Sequence, residues 1–293
     1  MRLRVLIVGF GDIAARITRL ASRSHDIYAL VRSVDAKHRA RDLGVTPICG
    51  DLDDTRSLYA VSALSENILY LAPPPNVGEL DTRIANFLAV LKKTRRIPQR
   101  LVYVSTSGVY GDCDGGFVSE TRKINPQTPR ARRRCHAESL VRRFFEGYRM
   151  RGAVLRVPGI YSSDRLPLER LKKNIPVLNS DDDSFSNHIH ADDLAKITLL
   201  ALYRSRAGRI FNASDGLSTR IGDYYDLLAD RARLPRPPRV SLADAKGNIP
   251  ELSLSFMVES RRLLSDRMKR EMRIRLRYPS VYEGIPKIVG VGG

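Results

Sequence analysis

Near its start the chain has an apolar run that stops at two closely spaced glycines and continues directly as a helical pattern. Residues 5–8 are all aliphatic, Gly9 and Gly11 follow, and Ile13 and Ile17 then recur at helical spacing. This order predicts a buried strand, a tight turn and a helix whose N-terminal amides face the turn. In such a unit the first glycine allows the turn and the second lets a pyrophosphate approach the backbone. The stretch therefore predicts a dinucleotide-binding site at the start of an α/β fold.

The turn and the first turn of the helix supply the first predicted cofactor-binding positions. Ala14 is small enough to keep the helix close to the sheet. The helix N-terminus then presents free amides and a partial positive charge to an anion. The residues concerned are Gly9, Phe10, Gly11, Asp12, Ile13 and Ala14.

Short apolar strands alternate with amphipathic helices beyond this unit. We predict strands over residues 26–31, 45–49, 67–72, 101–104, 153–157 and 209–212, and helices over residues 54–64, 80–94, 129–150, 191–203 and 219–231. A polar helix that ends at Gly44 separates the second and third strands, and a polar loop covers residues 179–187. This alternation predicts an α/β fold of the Rossmann type, a doubly wound parallel sheet with right-handed crossovers.

The pattern becomes irregular towards the C-terminus. The proline-rich segment 235–238 ends the last regular helix, and short elements separated by further prolines follow it. We therefore predict an NAD(P)-binding Rossmann domain over residues 1–157 and 184–233. Residues 158–183 and 234–293 are predicted to form a small interleaved C-terminal substrate lobe.

Composition limits the classes of function. The 293 residues carry 50 Lys and Arg against 32 Asp and Glu, which gives a net charge of +18. Such a charge invites a polyanion, but the basic residues are scattered and accompany no nucleic-acid motif, so we expect no nucleic acid partner. No apolar run approaches the ~20 residues of a membrane span. Three scattered cysteines indicate neither a disulfide framework nor a zinc site. We expect a cytoplasmic protein with no membrane partner.

Three potential metal ligands occur at alternate positions later in the chain. His188, His190 and Asp192 could share one face of a strand. We instead predict a short strand followed by a helix that Asp192 or Asp193 opens, and no bound metal.

Six segments taken together resemble the extended short-chain dehydrogenase/reductases, and within them the NAD-dependent epimerase/dehydratase family with its nucleoside-diphosphate-sugar epimerases. The segments are residues 9–14, 50–52, 102–111, 155–156, 188–194 and 211–216. The most specific is Ser105-Thr106-Ser107-Gly108-Val109-Tyr110-Gly111. The matching pieces run almost from end to end of the chain.

The resemblance implies further cofactor contacts where the strands end. Asp51 and Leu52 would lie against the adenine, with the Asp51 carboxylate accepting from the exocyclic amine. Leu71, Ala72 and Pro73 would line the cofactor at the end of the fourth strand. Two local alternatives stay open: Asp51 caps the following helix, and the prolines only terminate the strand.

The second strand ends differently from the usual pattern. Its end lacks the acidic residue that normally binds the ribose hydroxyls and carries Arg32 and Ser33 instead. An arginine there favours the 2′-phosphate, so we predict NAD(P) as cofactor with NADP favoured over NAD. A solvent-exposed Arg32, or Asp35 turned towards the ribose, would remove that preference.

The family's catalytic residues are only partly present. By resemblance Thr106 is the active-site hydroxyl that bonds the substrate oxygen, although it could also cap the strand end. Arg130 and Arg134 occupy the positions of the family's tyrosine and lysine. A guanidinium offers donors only and does not act as a base near neutral pH. The usual proton relay is therefore absent.

Two classes of function follow. The first is an NAD(P)-dependent oxidoreductase or epimerase-like enzyme acting on a nucleotide-sugar or a similar phosphorylated metabolite, with a homodimer left open. The second is a non-catalytic NAD(P)-binding regulatory protein. The intact cofactor motif beside an altered catalytic pair supports both.

Overall fold

The computed structural model of the protein describes residues 2–64 and 66–288. The strands are β1 (Leu3–Val8), β2 (His25–Val31), β3 (Thr46–Cys49), β4 (Asn67–Tyr70), β5 (Arg100–Thr106), β6 (Phe117–Val118), β7 (Arg151–Val157), β8 (Gly159–Tyr161), β9 (Val177–Leu178), β10 (Phe185–His190), β11 (Arg209–Asn212), β12 (Ser218–Arg220), β13 (Arg239–Val240) and β14 (Arg262–Leu263). The helices are α1 (Asp12–Ala21), α2 (Val34–Asp42), α3 (Tyr59–Ser62), α4 (Thr82–Lys93), α5 (Pro129–Tyr148), α6 (Leu168–Lys172), α7 (Ala191–Arg204), α8 (Ile221–Ala232), α9 (Leu242–Ala245), α10 (Glu251–Met257), α11 (Asp266–Met272) and α12 (Val281–Gly284). Single 3₁₀ turns cover Thr55–Leu58 and Ser107–Tyr110.

The central sheet has seven strands in the order β11-β7-β5-β4-β1-β2-β3, and every pairing in it is parallel. The chain leaves β1 towards β2 on one side and later returns to place β4 on the other side. This reversal creates a crevice at the carboxyl ends of β1 and β4, where doubly wound sheets bind ligands. The predicted Rossmann-type sheet is confirmed.

Helices cover both faces of the sheet, which explains the continuous apolar strands. On one face α1, α7 and α11 bury residues such as Ile17, Ile197 and Met268. On the other face α4 and α5 bury residues such as Phe87 and Phe144. Because both faces are covered, a strand such as β1 must be apolar at consecutive positions rather than at alternate ones. Among the helices described, none combines the length and the apolarity that a membrane crossing needs.

The remaining elements form smaller sheets and three satellite clusters beside the carboxyl edge. β12, β10 and β8 make a three-stranded sheet, while β13 pairs with β9 and β14 with β6. One cluster joins β8, α6, α8 and α12, a second joins β9, α8, α9 and α10, and a third joins the 3₁₀ turn Ser107–Tyr110 with β6 and β14. α8 therefore packs in two of the satellite clusters. The division of the chain into a Rossmann domain and a substrate lobe stays a prediction.

Four local expectations differ from the structure. The helix expected over residues 54–64 is a 3₁₀ turn followed by the short α3, and the strand expected over 67–72 ends at Tyr70. The loop expected over 179–187 contains the start of β10. The helix expected from residue 219 begins at Ile221, because the preceding three residues pair antiparallel with β10. Each difference comes from a turn or a strand pairing rather than from an error in the hydrophobic period.

Candidate functional site

A cavity of about 270 Å³ lies at the carboxyl ends of β1, β2 and β4. Eight of the thirteen residues predicted to bind the cofactor line it: Gly9, Phe10, Arg32, Ser33, Asp51, Leu52, Ala72 and Pro73. Leu30, Val31, Ala36, Gly50 and Arg83 complete the lining. The structure thus collects residues from four separate turns of the chain into one concave site at the expected edge of the sheet.

The two glycines of the turn have different structural roles. Gly9 has a φ of +93°, and a Cβ there would lie 2.7 Å from the backbone nitrogen of Ala72, so no side chain fits. A Cβ on Gly11 would have no atom within 4 Å in the described structure. Gly11 is also the N-cap of α1, so the helix begins beneath open space with its first amides lacking intrahelical acceptors. This combination fits a dinucleotide pyrophosphate.

Four other predicted residues lie behind this cavity. Ala14 is completely buried and Ile13 packs on the same core, so both hold α1 close to the sheet. The Leu71 amide donates to the Val8 carbonyl at 2.8 Å, which fixes the end of β4 beside β1. Asp12 turns away and receives hydrogen bonds from Arg16 and Arg165.

The adenosine end of the predicted site is built from Arg32, Ser33 and Asp51. Arg32 is 67% exposed, and its Nη1 lies 3.9 Å from the Asp51 carboxylate. Ser33 Oγ accepts from the Ala36 amide and so caps α2. Asp51 Oδ1 accepts from the Asp53 amide within its own turn, which leaves its second oxygen facing Arg32. Arg32 is therefore free to move towards a ligand.

Arg83 is a cavity residue that the sequence analysis missed. Its Nη2 lies 2.7 Å from Asp53 Oδ2, and its Nη1 donates to the carbonyls of Pro73 and Pro74. The hydrogen bond from Arg83 lowers the pKa of Asp53. Arg83 thereby holds the proline loop against the cavity. No local pattern distinguishes it from the many other arginines of the chain.

A larger cavity of about 460 Å³ lies between the end of β5, the start of α5 and the satellite clusters. Thr106 and Arg130 both line it, so the structure brings together two of the three predicted catalytic residues. Thr106 Oγ1 accepts from the Gly108 amide at 3.2 Å and caps the turn after β5. Its hydroxyl hydrogen remains available for a substrate oxygen.

Arg134, the third predicted catalytic residue, lines neither cavity. Its Nη1 donates to the Tyr103 hydroxyl and to the Val104 carbonyl, each at 3.0 Å. Both acceptors belong to β5, so Arg134 holds α5 against that strand. Burial raises the pKa of Tyr103 to about 12, with Arg134 acting in the opposite direction.

A buried ion pair lies directly behind Thr106. Glu138 Oε1 accepts from Ser105 Oγ at 2.7 Å, and Glu138 Oε2 lies 2.7 Å from Arg156 Nη2. Both charged side chains are less than 5% exposed. The pair ties α5 to β5 and β7, and thereby sets the position of Thr106 relative to Arg130.

A second ionic cluster links α1 to the wall of the larger cavity. The Arg16 guanidinium reaches Asp12, Asp164 and Asp192, at 3.0, 2.8 and 2.6 Å. Arg165, which lines the larger cavity, lies 3.0 Å from Asp12 on the first turn of α1. The first turn of α1 and the wall of the larger cavity are thus in direct contact.

The histidines of β10 pack among aromatic rings. His188 stacks on Tyr224 with ring centroids 4.4 Å apart, and His190 lies 3.8 Å from Tyr278. His190 Nδ1 accepts from the Asp192 amide, so a histidine side chain caps α7 where an aspartate was expected. Burial lowers the pKa of His188, which lines the larger cavity, to about 4.

The relation of this chain to known proteins identifies its family. The profile of the NAD dependent epimerase/dehydratase family matches residues 5–214, more than two thirds of the chain. The chain belongs to this family. The predicted resemblance is therefore confirmed.

Individual relatives of this chain are distant in sequence. A dTDP-glucose 4,6-dehydratase of Mycobacterium tuberculosis is 24% identical over 240 residues, which are 71% of this chain and 71% of that protein. A functionally unknown conserved protein from Silicibacter pomeroyi has a TM-score of 0.79 at 26% identity, over 96% of this chain and 95% of that one. The UDP-glucose 4-epimerase of Thermotoga maritima has a TM-score of 0.76 at 17% identity, over 96% and 95% of the two chains.

We expect the buried imidazole of His188 to make the stability of this protein pH-dependent. Its pKa is lowered from 6.5 to about 4 by burial, so the folded state holds it neutral. The resulting stability is fully present above pH 6.5 and is lost as the pH falls towards 4. In His188→Phe, the fall in unfolding free energy between pH 7 and pH 5 should be smaller than in the parent by about 2 kcal/mol.

Denaturant titrations at both pH values measure this difference. The control is His38→Phe, because His38 is an exposed residue of α2. Equal pH sensitivity in the parent and in His188→Phe would contradict the prediction.

Proposed function

We propose that the chain is an NAD(P)-dependent oxidoreductase or epimerase-like enzyme whose substrate is a nucleotide-sugar or a similar phosphorylated metabolite. The observation that carries the proposal is the contact between the first turn of α1 and the wall of the larger cavity, made by Asp12 and Arg165. The smaller cavity has the glycine turn of a dinucleotide site, and the larger one begins at the Thr106 hydroxyl. The dehydratase and epimerases similar to this chain act on dTDP-glucose and UDP-glucose by their names, which supports the substrate class.

The chain's own residues divide the work at this proposed site. When bound, NAD(P) supplies the hydride acceptor and donor. Thr106 would hold the substrate oxygen by donating its hydroxyl proton while its own oxygen stays bonded to the Gly108 amide. Arg130 would contribute N–H donors and positive charge, but no base. Arg134 acts as a positioning residue through Tyr103 and Val104.

Turnover should be slow because the guanidinium of Arg130 would stand where the family has its phenol. Thr106 has a hydroxyl whose pKa is too high for a base on its own, and Arg130 has no lone pair to accept a proton. We expect turnover at least tenfold below the ~10 s⁻¹ that is typical of enzymes. Thr106→Ala should lower it further with cofactor binding unchanged.

A panel of dTDP- and UDP-sugars, with reduction or oxidation of the nicotinamide followed by absorbance, measures this rate. Thr121→Ala, at an exposed position after β6, serves as the matched control. Turnover of tens per second that disappears in Arg130→Ala, with cofactor and substrate binding intact, would show that Arg130 has a chemical role that we have not assigned.

The cofactor preference is a separate prediction. Arg32 is exposed at the mouth of the smaller cavity, where its Nη1 lies 3.9 Å from the Asp51 carboxylate. A charge-assisted hydrogen bond to a 2′-phosphate should make NADPH bind about tenfold more tightly than NADH at low salt. Arg32→Gln should remove the difference, and Arg39→Gln on α2 should keep it.

Fluorescence titrations of the two reduced cofactors test this preference. Equal dissociation constants for NADPH and NADH in the parent protein would contradict it. A preference that survives in Arg32→Gln would assign the 2′-phosphate to another residue.

A non-catalytic NAD(P)-binding regulator is the second candidate function. It is favoured by the position of Arg134, whose Nη1 is held by β5 instead of facing either cavity. A regulator would bind cofactor and metabolite and change its association with a partner without turnover. Steady consumption of any sugar nucleotide by the purified chain would exclude it.

A further inference from the structure

Four arginines and a single acidic residue line the larger cavity: Arg130, Arg165, Arg170, Arg261 and Glu259. The carboxylate is already neutralised, because Glu259 Oε2 lies 2.9 Å from Arg261 Nη1. His188 adds no charge, since burial keeps its pKa near 4. Two of the four guanidinium groups, those of Arg130 and Arg170, have no acidic partner among the described residues, so the cavity carries a net positive charge that favours an anionic ligand.

Three of these arginines have partners within the protein. Arg165 pairs with Asp12 at 3.0 Å, and Arg170 donates to the Pro176 carbonyl at 2.6 Å. Arg261 also donates to the Gly111 carbonyl at 2.7 Å. These contacts fix three of the guanidinium groups in the wall of the cavity.

Arg130 differs from the other three. Its guanidinium forms no hydrogen bond or ion pair with any residue in the described part of the chain, although the side chain is half-buried. The Phe256 ring lies 4.0 Å from its Cζ and covers one face of the guanidinium. A stacked face leaves the N–H edge free, and that edge has the planar fork that suits two oxygens of an anion.

The helix geometry places Arg130 at the Thr106 end of the cavity. Arg134 lies one turn further along α5 and donates to the Val104 carbonyl on β5. One helical turn is about 5.4 Å, and Thr106 follows Val104 by two residues in the same strand. Arg130 and Thr106 are thus neighbouring parts of the same wall, and both line the cavity.

We propose that Arg130 binds an anionic group, a carboxylate or a phosphate ester, at the end of the substrate that faces Thr106. This group is additional to any diphosphate of a nucleotide. The inference rests on the proposed function, which assigns Thr106 to the reacting end of the substrate. It narrows the substrate class to sugar acids, sugar phosphates and compounds with the same charge at that end.

Calorimetric titrations at constant ionic strength test the inference on the full chain. UDP-glucuronate is compared with UDP-glucose, and free glucuronate and glucose 6-phosphate are compared with glucose. In at least one of these pairs, the parent should bind the anionic compound at least tenfold more tightly than the neutral compound with which it is compared. Arg130→Gln should abolish this preference, and Arg142→Gln, at an exposed position of α5, should retain it.

These ligand pairs distinguish a failure of the proposed nucleotide-sugar substrate from a failure of the proposed anion site. Tighter binding of glucuronate identifies a carboxylate, and tighter binding of glucose 6-phosphate identifies a phosphate ester. Arg130-dependent binding of the free sugar anions without binding of either UDP-sugar would reject the nucleotide-sugar and keep the anion site. UDP-glucose binding with no tighter binding of any anion would overturn the anion site alone. Absence of an anion preference in every pair, or one that persists in Arg130→Gln, overturns it as well.

Discussion

Gly11→Val should fold like the parent and bind NAD(P)H about 100-fold more weakly, or worse. The added side chain meets no described atom within 4 Å at its Cβ, and the backbone at Gly11 is extended with φ of −107°, which a β-branched residue accepts. The same open space is where a pyrophosphate must approach the amides of α1. A methyl pair in that space therefore blocks the ligand and leaves the fold intact.

Two measurements separate these effects. Thermal unfolding reports the fold, and cofactor fluorescence gives the dissociation constant, for which 100-fold corresponds to about 2.7 kcal/mol. Gly147→Val is the matched control, since a Cβ on Gly147 in α5 also meets nothing within 4 Å. A folded Gly11→Val that binds cofactor as tightly as the parent would remove the site from this turn. Gly9 is unsuitable for the test, because its Cβ would collide with Ala72.

Glu138→Leu should reduce the unfolding free energy by about 3–5 kcal/mol. The substitution leaves the buried guanidinium of Arg156 without its carboxylate and removes the acceptor of Ser105 Oγ. An unpaired buried charge carries a large desolvation cost that no remaining contact offsets. Because Ser105 precedes Thr106, the loss should also disturb the wall of the larger cavity.

The double variant Glu138→Leu with Arg156→Met distinguishes charge from packing. Removing both charges should recover a large part of the lost stability. Glu169→Leu, which breaks the exposed pair between Glu169 and Lys172, should leave stability nearly unchanged, because solvent screens that pair. Denaturant unfolding of all three proteins measures the differences. A Glu138→Leu protein as stable as Glu169→Leu would contradict the assigned role of the ion pair.

The sequence was sufficient for the central sheet and its ligand edge. Strands buried on both faces need consecutive apolar residues, and the run over residues 5–8 is readable without any knowledge of its neighbours. The two glycines then mark the turn, because Gly9 has a backbone conformation that side chains rarely adopt. Local patterns of this kind can be predicted from the sequence because they follow from backbone geometry and burial alone.

The satellite elements were not readable in this way. β6 and β14 pair residues as far apart as Phe117 and Arg262, and β12 exists because it pairs with β10. Strands of two or three residues carry no hydrophobic period of their own, so only the partner strand defines them. The same limitation explains why a 3₁₀ turn and the short α3 stand where one helix was expected.

The sequence by itself predicted that Arg130 and Arg134 occupy the family's catalytic positions, and tertiary structure alone decided what their side chains face. Arg130 and Arg134 are one turn apart on α5 and are chemically identical. Tyr103 and Val104 of β5 bind Arg134, whereas Phe256 from a distant helix covers Arg130 beside the open cavity. A guanidinium can be buried only where hydrogen-bond acceptors compensate for the hydration that it loses. Those acceptors come from segments that only folding brings together.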